Sequence, residues 1–263
     1  MKSELTLTHV EVSNQIGIIT LNHSKKRNCL SSALIEEICT ALVAMQKDEV
    51  RVVILRAPAG SQVFSAGHDI RELPTNGRDP LTYTDPLRHL VRTIEHFSAP
   101  VIAMVEGTVW GGACELVMSC DMIIAAEDST FAITTTKLGV PYNMSGIQNF
   151  MNSGGMLLCK EMLFTSRPLG SRRLVDRGIV NHAVPRDQLE ATTLAIAKQI
   201  AQNSPLAVSL LKEELRLLSA SHHLTPETFE RVQAMRREVY DSEDYQEGIR
   251  SFREKRVPQF HGR

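Results

Sequence analysis

Apolar strands alternate with amphipathic helices along most of the chain, and this alternation constrains the fold more than any other feature. Val50–Ala57, Val101–Val105 and Met122–Ala126 are mostly apolar runs of strand length. Between them, apolar residues recur at helical spacing from Leu34 to Met45 and from Leu87 to Phe97. Because strands that alternate with helices usually build parallel sheets covered by helices, the pattern predicts an α/β fold.

Helices alone are predicted after about residue 187. Asp187 with Glu190 is typical of a capping box, and a helical pattern continues to about Asn203. Pro205 and Thr225 each precede a further helical pattern. We therefore expect a core over residues 1–200 that carries binding and catalysis, followed by a helical segment over residues 201–263.

The charge balance argues against nucleic-acid binding. The chain has 29 Lys and Arg against 30 Asp and Glu, a net charge of -1, so no basic field covers it. No apolar run approaches the roughly 18–20 residues that span a bilayer. The N-terminus lacks the charged-then-apolar layout of a signal peptide. We expect a cytoplasmic protein that binds neither nucleic acid nor a membrane.

The five cysteines indicate neither a disulfide framework nor a metal site. Their number is odd, and none lies in a C-x-x-C pair. The sequence also contains no metal-ligand cluster and no biotin-attachment motif. We therefore expect reduced thiols and no metal or other cofactor.

Two loops rich in small residues follow buried strands. The first is Phe64–Ile70, and the second is Glu106–Glu115, which enters a helix at Gly111 and Gly112. Small residues let a ligand approach the backbone, and a helix N-terminus offers unpaired N–H groups with partial positive charge. Taken alone, such a loop more often marks a tight strand–helix turn. If the two loops meet in space, two N–H donors could hold an oxyanion between them.

Together with Lys26–Leu30, these loops resemble the crotonase (enoyl-CoA hydratase/isomerase) superfamily, and the order and spacing of the three pieces match over nearly the whole chain. The resemblance implies an α/β fold built as a spiral of ββα turns, with a C-terminal helical segment for trimerisation. It also implies an enzyme that binds an acyl-CoA thioester, stabilises the enolate next to the thioester carbonyl, and forms a trimer or a dimer of trimers. Coenzyme A is then part of the substrate.

The resemblance assigns roles to individual residues. In the family, the residue before the Asp of the first loop donates one oxyanion N–H, and here this residue is His68. The second donor is the glycine three residues before a glutamate, which is Gly112 before Glu115. Both roles use the backbone, so the imidazole of His68 need not be catalytic. The other substrate-contacting or CoA-contacting positions implied are Ala66, Gly67, Asp69, Ile70, Thr134, Lys255 and Arg27.

The chain departs from the hydratases of the family at their second catalytic glutamate. The aligned residue is Thr135, whose hydroxyl cannot act as a general acid or base near neutral pH. Pro141–Asn143 stands where the hydratases usually have Pro-Gly followed by more glycine. Decarboxylation needs neither glutamate as a base, because the loss of CO₂ itself leaves the electron pair on the α-carbon.

The resemblance to decarboxylases of the family implies conversion of methylmalonyl-CoA (or malonyl-CoA) to propionyl-CoA (or acetyl-CoA), with Tyr142 orienting the carboxylate. Glu115 keeps three possible roles: protonating the enolate, ordering a water, or serving as a structural carboxylate. One alternative is an enoyl-CoA hydratase or isomerase, against which Thr135 and Tyr142 argue. Another is a non-catalytic crotonase-fold binding protein, against which the intact His68, Gly112 and Glu115 positions argue.

Overall fold

The computed structural model describes residues 5–73, 83–219 and 225–262. In chain order, its strands are β1 (Thr8–Ser13), β2 (Ile16–Leu21), β3 (Val52–Arg56), β4 (Val63–Ser65), β5 (Val101–Val105), β6 (Thr108–Trp110), β7 (Met122–Ala126), β8 (Thr130–Ala132), β9 (Leu169–Gly170) and β10 (His182–Val184). Its helices are α1 (Ser32–Lys47), α2 (Pro86–Glu95), α3 (Gly112–Met118), α4 (Met144–Thr165), α5 (Ser171–Asp176), α6 (Leu189–Gln202), α7 (Pro205–Ser219), α8 (Pro226–Asp241) and α9 (Glu243–Glu254).

The larger sheet has the strand order β1-β2-β3-β5-β7-β10. β1 and β2 form an antiparallel hairpin, and the remaining pairs are parallel. Successive side chains of a strand point to opposite faces of the sheet, and here both faces are covered. Val53 and Leu55 lie in the main core, whereas Val52 and Ile54 pack on the other face with Ala197 of α6. Coverage of both faces explains why these strands are almost entirely apolar.

The smaller sheet has the order β4-β6-β8-β9, with β4, β6 and β8 parallel. Each of these three short strands follows a strand of the larger sheet: β4 follows β3, β6 follows β5, and β8 follows β7. A helix then follows each pair, namely α2, α3 and α4. This repetition confirms the predicted α/β spiral of ββα turns.

The capping box predicted at Asp187 is wrong. A 3-10 turn covers Arg186–Gln188, and α6 begins at Leu189 without a side-chain cap. Asp187 lies inside that turn and therefore does not occupy the position before the helix. Glu190 accepts a hydrogen bond from Arg56 Nη1 at 2.9 Å instead of closing a capping box.

α7 and α8 begin close to where the sequence predicts helices, whereas α9 was not predicted. α7 starts at Pro205, and Thr225 caps α8 by accepting a hydrogen bond from Thr228 N at 3.2 Å. α9 returns to the core, where Gly248 packs against the Leu138 carbonyl so closely that no Cβ would fit. The division at residue 200 falls within the last turn of α6, and the assignment of separate roles to its two sides stays a prediction. No helix of the described residues is long and apolar enough to cross a membrane.

Candidate active site

A cavity of about 450 Å³ lies between the two glycine-containing loops. Its walls are mainly apolar, with side chains such as Ile70, Leu87 and Val140, and Phe252 of α9 forms part of the lining. The ends of β4 and β6, a pair of parallel strands, bring the two loops to this place. The loops that the sequence could not place relative to each other therefore meet.

The backbone N–H groups of His68 and Gly112 lie side by side at the cavity. A Cβ at Gly112 would lie 3.5 Å from His68 N, an ordinary contact distance, and 2.8 Å from Leu87 Cδ2 at the end of a side chain. Neither N–H donates a hydrogen bond to another described residue. Gly112 is also the first residue of α3, where N–H groups carry the positive end of the helix dipole. The arrangement can receive a negatively charged oxygen.

Asp69 holds the first loop in shape. Its carboxylate accepts hydrogen bonds from Arg71 N at 3.1 Å and from Arg71 Nε at 2.8 Å. The Arg71 guanidinium lowers the pKa of Asp69 to about 2, so the carboxylate is ionised. The neighbouring segment braces the loop, with Ala66 N donating to Arg27 O at 2.9 Å and Leu30 N donating to Gly67 O at 2.8 Å.

Glu115 is buried at the cavity with a partner on each carboxylate oxygen. Arg88 Nη1 donates to Oε1 at 2.5 Å, and Asn143 Nδ2 donates to Oε2 at 2.8 Å. Burial raises the pKa of the Glu115 carboxyl, and the Arg88 guanidinium opposes that rise. Both oxygens act as acceptors, which is the bonding pattern of an ionised carboxylate.

Three buried polar side-chain atoms that belong to cavity-lining residues lack a hydrogen-bond partner among the described residues. These atoms are Nδ1 of His68, Oγ1 of Thr135 and Oη of Tyr142. Burial, and then the nearby charge of Glu115, raises the pKa of Tyr142 well above its ordinary value, so its hydroxyl is neutral. Because buried polar groups in proteins are nearly always paired, unpaired atoms that share one cavity indicate a ligand with polar groups.

A sequence model described as enoyl-CoA hydratase/isomerase matches residues 11–263. The chain belongs to the enoyl-CoA hydratase/isomerase family. Over 254 residues it is 50% identical to the methylmalonyl-CoA decarboxylase of Escherichia coli (strain K12), with 97% of each chain covered. A solved structure of methylmalonyl-CoA decarboxylase complexed with 2S-carboxypropyl-CoA matches with a TM-score of 0.96 at 50% identity, covering 98% of this chain and 99% of that one. A probable mitochondrial enoyl-CoA hydratase of Dictyostelium discoideum is 33% identical over 257 residues, covering 96% and 90% of the two chains.

The cavity brings together most of the residues that the family resemblance indicated. The predicted residues that line it are Arg27, Ala66, His68, Ile70, Gly112, Glu115, Thr134 and Tyr142. Gly67 and Asp69 belong to the same loop but do not line the cavity. Lys255 is exposed just beyond α9 and does not line the cavity of its own chain. The individual roles assigned to these residues stay predictions.

Sequence reasoning missed the residues that hold Glu115. Arg88 is 27 positions away in the chain, and no local pattern indicates that it would reach the site. Asn143 had a detectable signal, because its Oδ1 caps α4 by accepting a hydrogen bond from Gly146 N at 2.7 Å. An Asn before a run of helical residues is a common N-cap. The whole of α4 was likewise absent from the sequence prediction.

No group of three or more His, Cys, Asp or Glu that could hold a metal occurs among the described residues. All five cysteines are free thiols, of which Cys29 is half-buried and the other four are buried. Burial raises the pKa of Cys114, in the first turn of α3, to about 12. This thiol therefore stays protonated near neutral pH.

Proposed function

We propose that the protein decarboxylates methylmalonyl-CoA, or malonyl-CoA, to propionyl-CoA, or acetyl-CoA, and CO₂. The observation that carries this proposal is the pair of free N–H donors, His68 and Gly112, in a cavity that also holds the neutral hydroxyl of Tyr142. Of the described residues that line this cavity, Glu115 is the single carboxylate. The 50% identity to methylmalonyl-CoA decarboxylase along nearly the full length of both chains supports the same reaction.

In this reaction the bond between the α-carbon and the carboxylate carbon breaks. Its electron pair passes to the α-carbon and spreads onto the thioester oxygen, and CO₂ leaves as a neutral molecule. The N–H groups of His68 and Gly112 form the proposed oxyanion hole for that oxygen. Removing one donor of such a site typically lowers turnover by about 10²–10³-fold. The negative charge spreads out as the bond breaks. Apolar walls therefore destabilise the transition state less than they destabilise the localised charge of the starting carboxylate.

Tyr142 supplies a hydrogen bond to the carboxylate without a positive charge. Its hydroxyl is neutral because burial and the charge of Glu115 raise its pKa. A lysine or arginine at this place would stabilise the starting carboxylate more than the transition state and would oppose the reaction. The ring is fixed by an edge-on contact with Phe150, with centroids 5.9 Å apart, and by Gly146, where a Cβ would lie 2.5 Å from Tyr142 Cε1.

Glu115 best fits the structural role among the three left open by the sequence. Both of its oxygens accept hydrogen bonds, from Arg88 and from Asn143, so it is not poised to release a proton. The enolate carbon must nevertheless gain one. His68 is the described residue that suits this step, because its Nδ1 faces no hydrogen-bond partner and its residue lines the cavity. Imidazole is the side chain that enzymes use most often as a general acid.

The CoA portion carries phosphates, which arginine binds well. Arg27 lines the cavity, and its side chain is exposed to solvent, so it is our first candidate for a phosphate contact. Lys255 stays the second candidate. No further cofactor enters the proposed reaction, because the thioester itself accepts the electron pair.

We also propose a homo-oligomer, a trimer or a dimer of trimers. No residue of α7 is buried in the single chain. Six of its leucines are more than half exposed, namely Leu206, Leu210, Leu211, Leu215, Leu217 and Leu218. So many exposed large apolar side chains on one helix usually mark a protein interface. The cytoplasmic location expected from the sequence stays a prediction.

Two assays run side by side test the proposed reaction. Purified protein given methylmalonyl-CoA should release CO₂ and propionyl-CoA in equal amounts, and it should not hydrate crotonyl-CoA. Hydration of crotonyl-CoA without CO₂ release would support the hydratase alternative. Neither activity in a folded protein that still binds CoA esters would support the non-catalytic alternative.

The variant Tyr142→Phe tests the orienting hydroxyl within this reaction. It keeps the ring and its packing, so affinity for propionyl-CoA, which has no carboxylate, should barely change. Decarboxylation should fall by about 10-fold or more, because one hydrogen bond to a charged group is worth roughly 1.5–3 kcal/mol. Tyr83→Phe is the matched control, since Tyr83 is 78% exposed. Unchanged kinetics for Tyr142→Phe would remove this residue from the mechanism.

A further inference from the structure

Thr135 aligns with the second catalytic glutamate of the hydratases, and in this chain it lines the cavity. Its Oγ1 is buried and has no hydrogen-bond partner among the described residues. The adjacent Thr136 behaves differently, because its Oγ1 donates to Leu163 O at 3.2 Å and lies 2.7 Å from Ser166 Oγ. The protein thus satisfies one threonine hydroxyl of this turn and leaves the other, at the cavity, unsatisfied.

The position of Thr135 is fixed by the backbone. It begins the 3-10 turn Thr135–Leu138, and Val140 N donates to Thr135 O at 3.0 Å. From outside, α9 packs against this turn, with Gly248 in contact with the Leu138 carbonyl. The turn leads directly to Tyr142, so one short segment carries both hydroxyls that lack a hydrogen-bond partner among the described residues. An unpaired buried hydroxyl destabilises a protein unless a ligand completes its hydrogen bond.

We propose that Thr135 is a second hydrogen-bond donor to the substrate carboxylate, acting together with Tyr142; this inference rests on the proposed decarboxylation. A carboxylate has two oxygens, and each requires a hydrogen bond when it leaves water. One donor leaves the group free to rotate, whereas two donors from different residues fix its plane relative to the thioester. Both hydroxyls are neutral, so neither holds the charge that must leave the carboxylate. Threonine at position 135, in place of the hydratases' glutamate, then has two consequences. It removes a general acid, and it adds a hydroxyl that binds the substrate carboxylate.

The test compares Thr135→Val, which keeps the shape and removes the hydroxyl, with Thr135→Ser, which keeps the hydroxyl. Thr136→Val is the matched control, because it removes a hydroxyl that has protein partners. For each variant, three quantities are measured: kcat/KM for methylmalonyl-CoA, the dissociation constant of propionyl-CoA, and the melting temperature of the unliganded protein. Thr135→Val should lower kcat/KM by about 10-fold, the usual effect of one lost hydrogen bond to a charged group. Thr135→Ser should recover most of that loss.

Stability separates this role from a structural one. Thr135→Val should leave the melting temperature unchanged or raise it, since it removes an unsatisfied group, whereas Thr136→Val should lower it. Propionyl-CoA affinity should stay within about two-fold, because the product has no carboxylate. An unchanged kcat/KM for Thr135→Val would overturn the proposal. A fall in kcat/KM that comes with an equally large fall in propionyl-CoA affinity and a lower melting temperature would overturn it as well. If the wild-type protein releases no CO₂, the proposed function itself is wrong. If the wild type is active and Thr135→Val is equally active, only the proposed role of Thr135 is wrong.

Discussion

The variant Gly67→Ala tests whether the two loops must touch for the reaction to proceed. Gly67 has φ 84° and lies in the first loop, where it faces Trp110 and Gly112 of the second. A Cβ at this position would come under 3.0 Å from the Trp110 carbonyl oxygen and to 3.1 Å from Gly112 N, where ordinary contacts are 3.4–4 Å. Both atoms belong to the backbone, so no side-chain rotation relieves the clash.

The added methyl group has two effects: it strains the backbone at position 67, and it pushes the two loops apart. The left-handed backbone conformation costs a non-glycine residue about 1–2 kcal/mol of stability. To regain van der Waals distance, the loops must also separate by roughly 0.5–1 Å. The separation moves the N–H groups of His68 and Gly112 apart. Because a misplacement of about 1 Å can cost about 10²-fold in rate, we expect turnover to fall between roughly 10-fold and 100-fold.

The matched control is Gly60→Ala. Gly60 has φ 78°, nearly the same conformation, but a Cβ there would meet nothing within 4 Å. In a denaturant titration both variants should lose the free energy of unfolding that the left-handed conformation costs, and Gly67→Ala should lose more because its added methyl group also clashes with backbone atoms, whereas CO₂ release should fall in Gly67→Ala alone. Equal turnover in the two variants, with both folded, would refute the claim that the spacing of the loops controls the reaction. A loss in Gly60→Ala as large as that in Gly67→Ala would refute it as well.

Three further outcomes are expected. Gly112→Pro removes the N–H donor itself and should lower turnover by at least about 10²-fold in a protein whose circular dichroism is unchanged; His68→Ala keeps its backbone N–H and removes only the proposed proton donor, whose place water can take, so it should lose less, and an equal loss would mean that the imidazole does more than protonate the enolate. Gly248→Ala should push α9 away from the Leu138 carbonyl and lower CO₂ release, measured as turnover at saturating substrate, while an unchanged rate would show that α9 does not position the turn. Sedimentation should show trimers or hexamers at micromolar protein, and a stable monomer would contradict the proposed interface on α7.

Much of the fold was predictable because its determinants are local. The buried strands β3 and β5 are continuous apolar runs, and α1 and α2 show apolar residues at helical spacing. The short strands of the smaller sheet were not predicted. β6 and β8 contain three residues each, too few for a periodic pattern, and pairing with their neighbours in the sheet determines them. α4 was missed in part because Gly155, at φ 75°, interrupts its helical geometry.

Three features could be predicted from the sequence by itself: the family, the two loops of small residues, and threonine instead of a second glutamate at position 135. All three depend only on residue identity and spacing. The tertiary structure alone decided which of these groups meet. The pairing of β4 with β6 sets the N–H groups of His68 and Gly112 side by side, and α2 carries Arg88 to Glu115. Hydrogen bonding and burial depend on atoms that are distant in the chain, so only the folded structure shows that Glu115 is fully paired while the hydroxyls of Thr135 and Tyr142 are not.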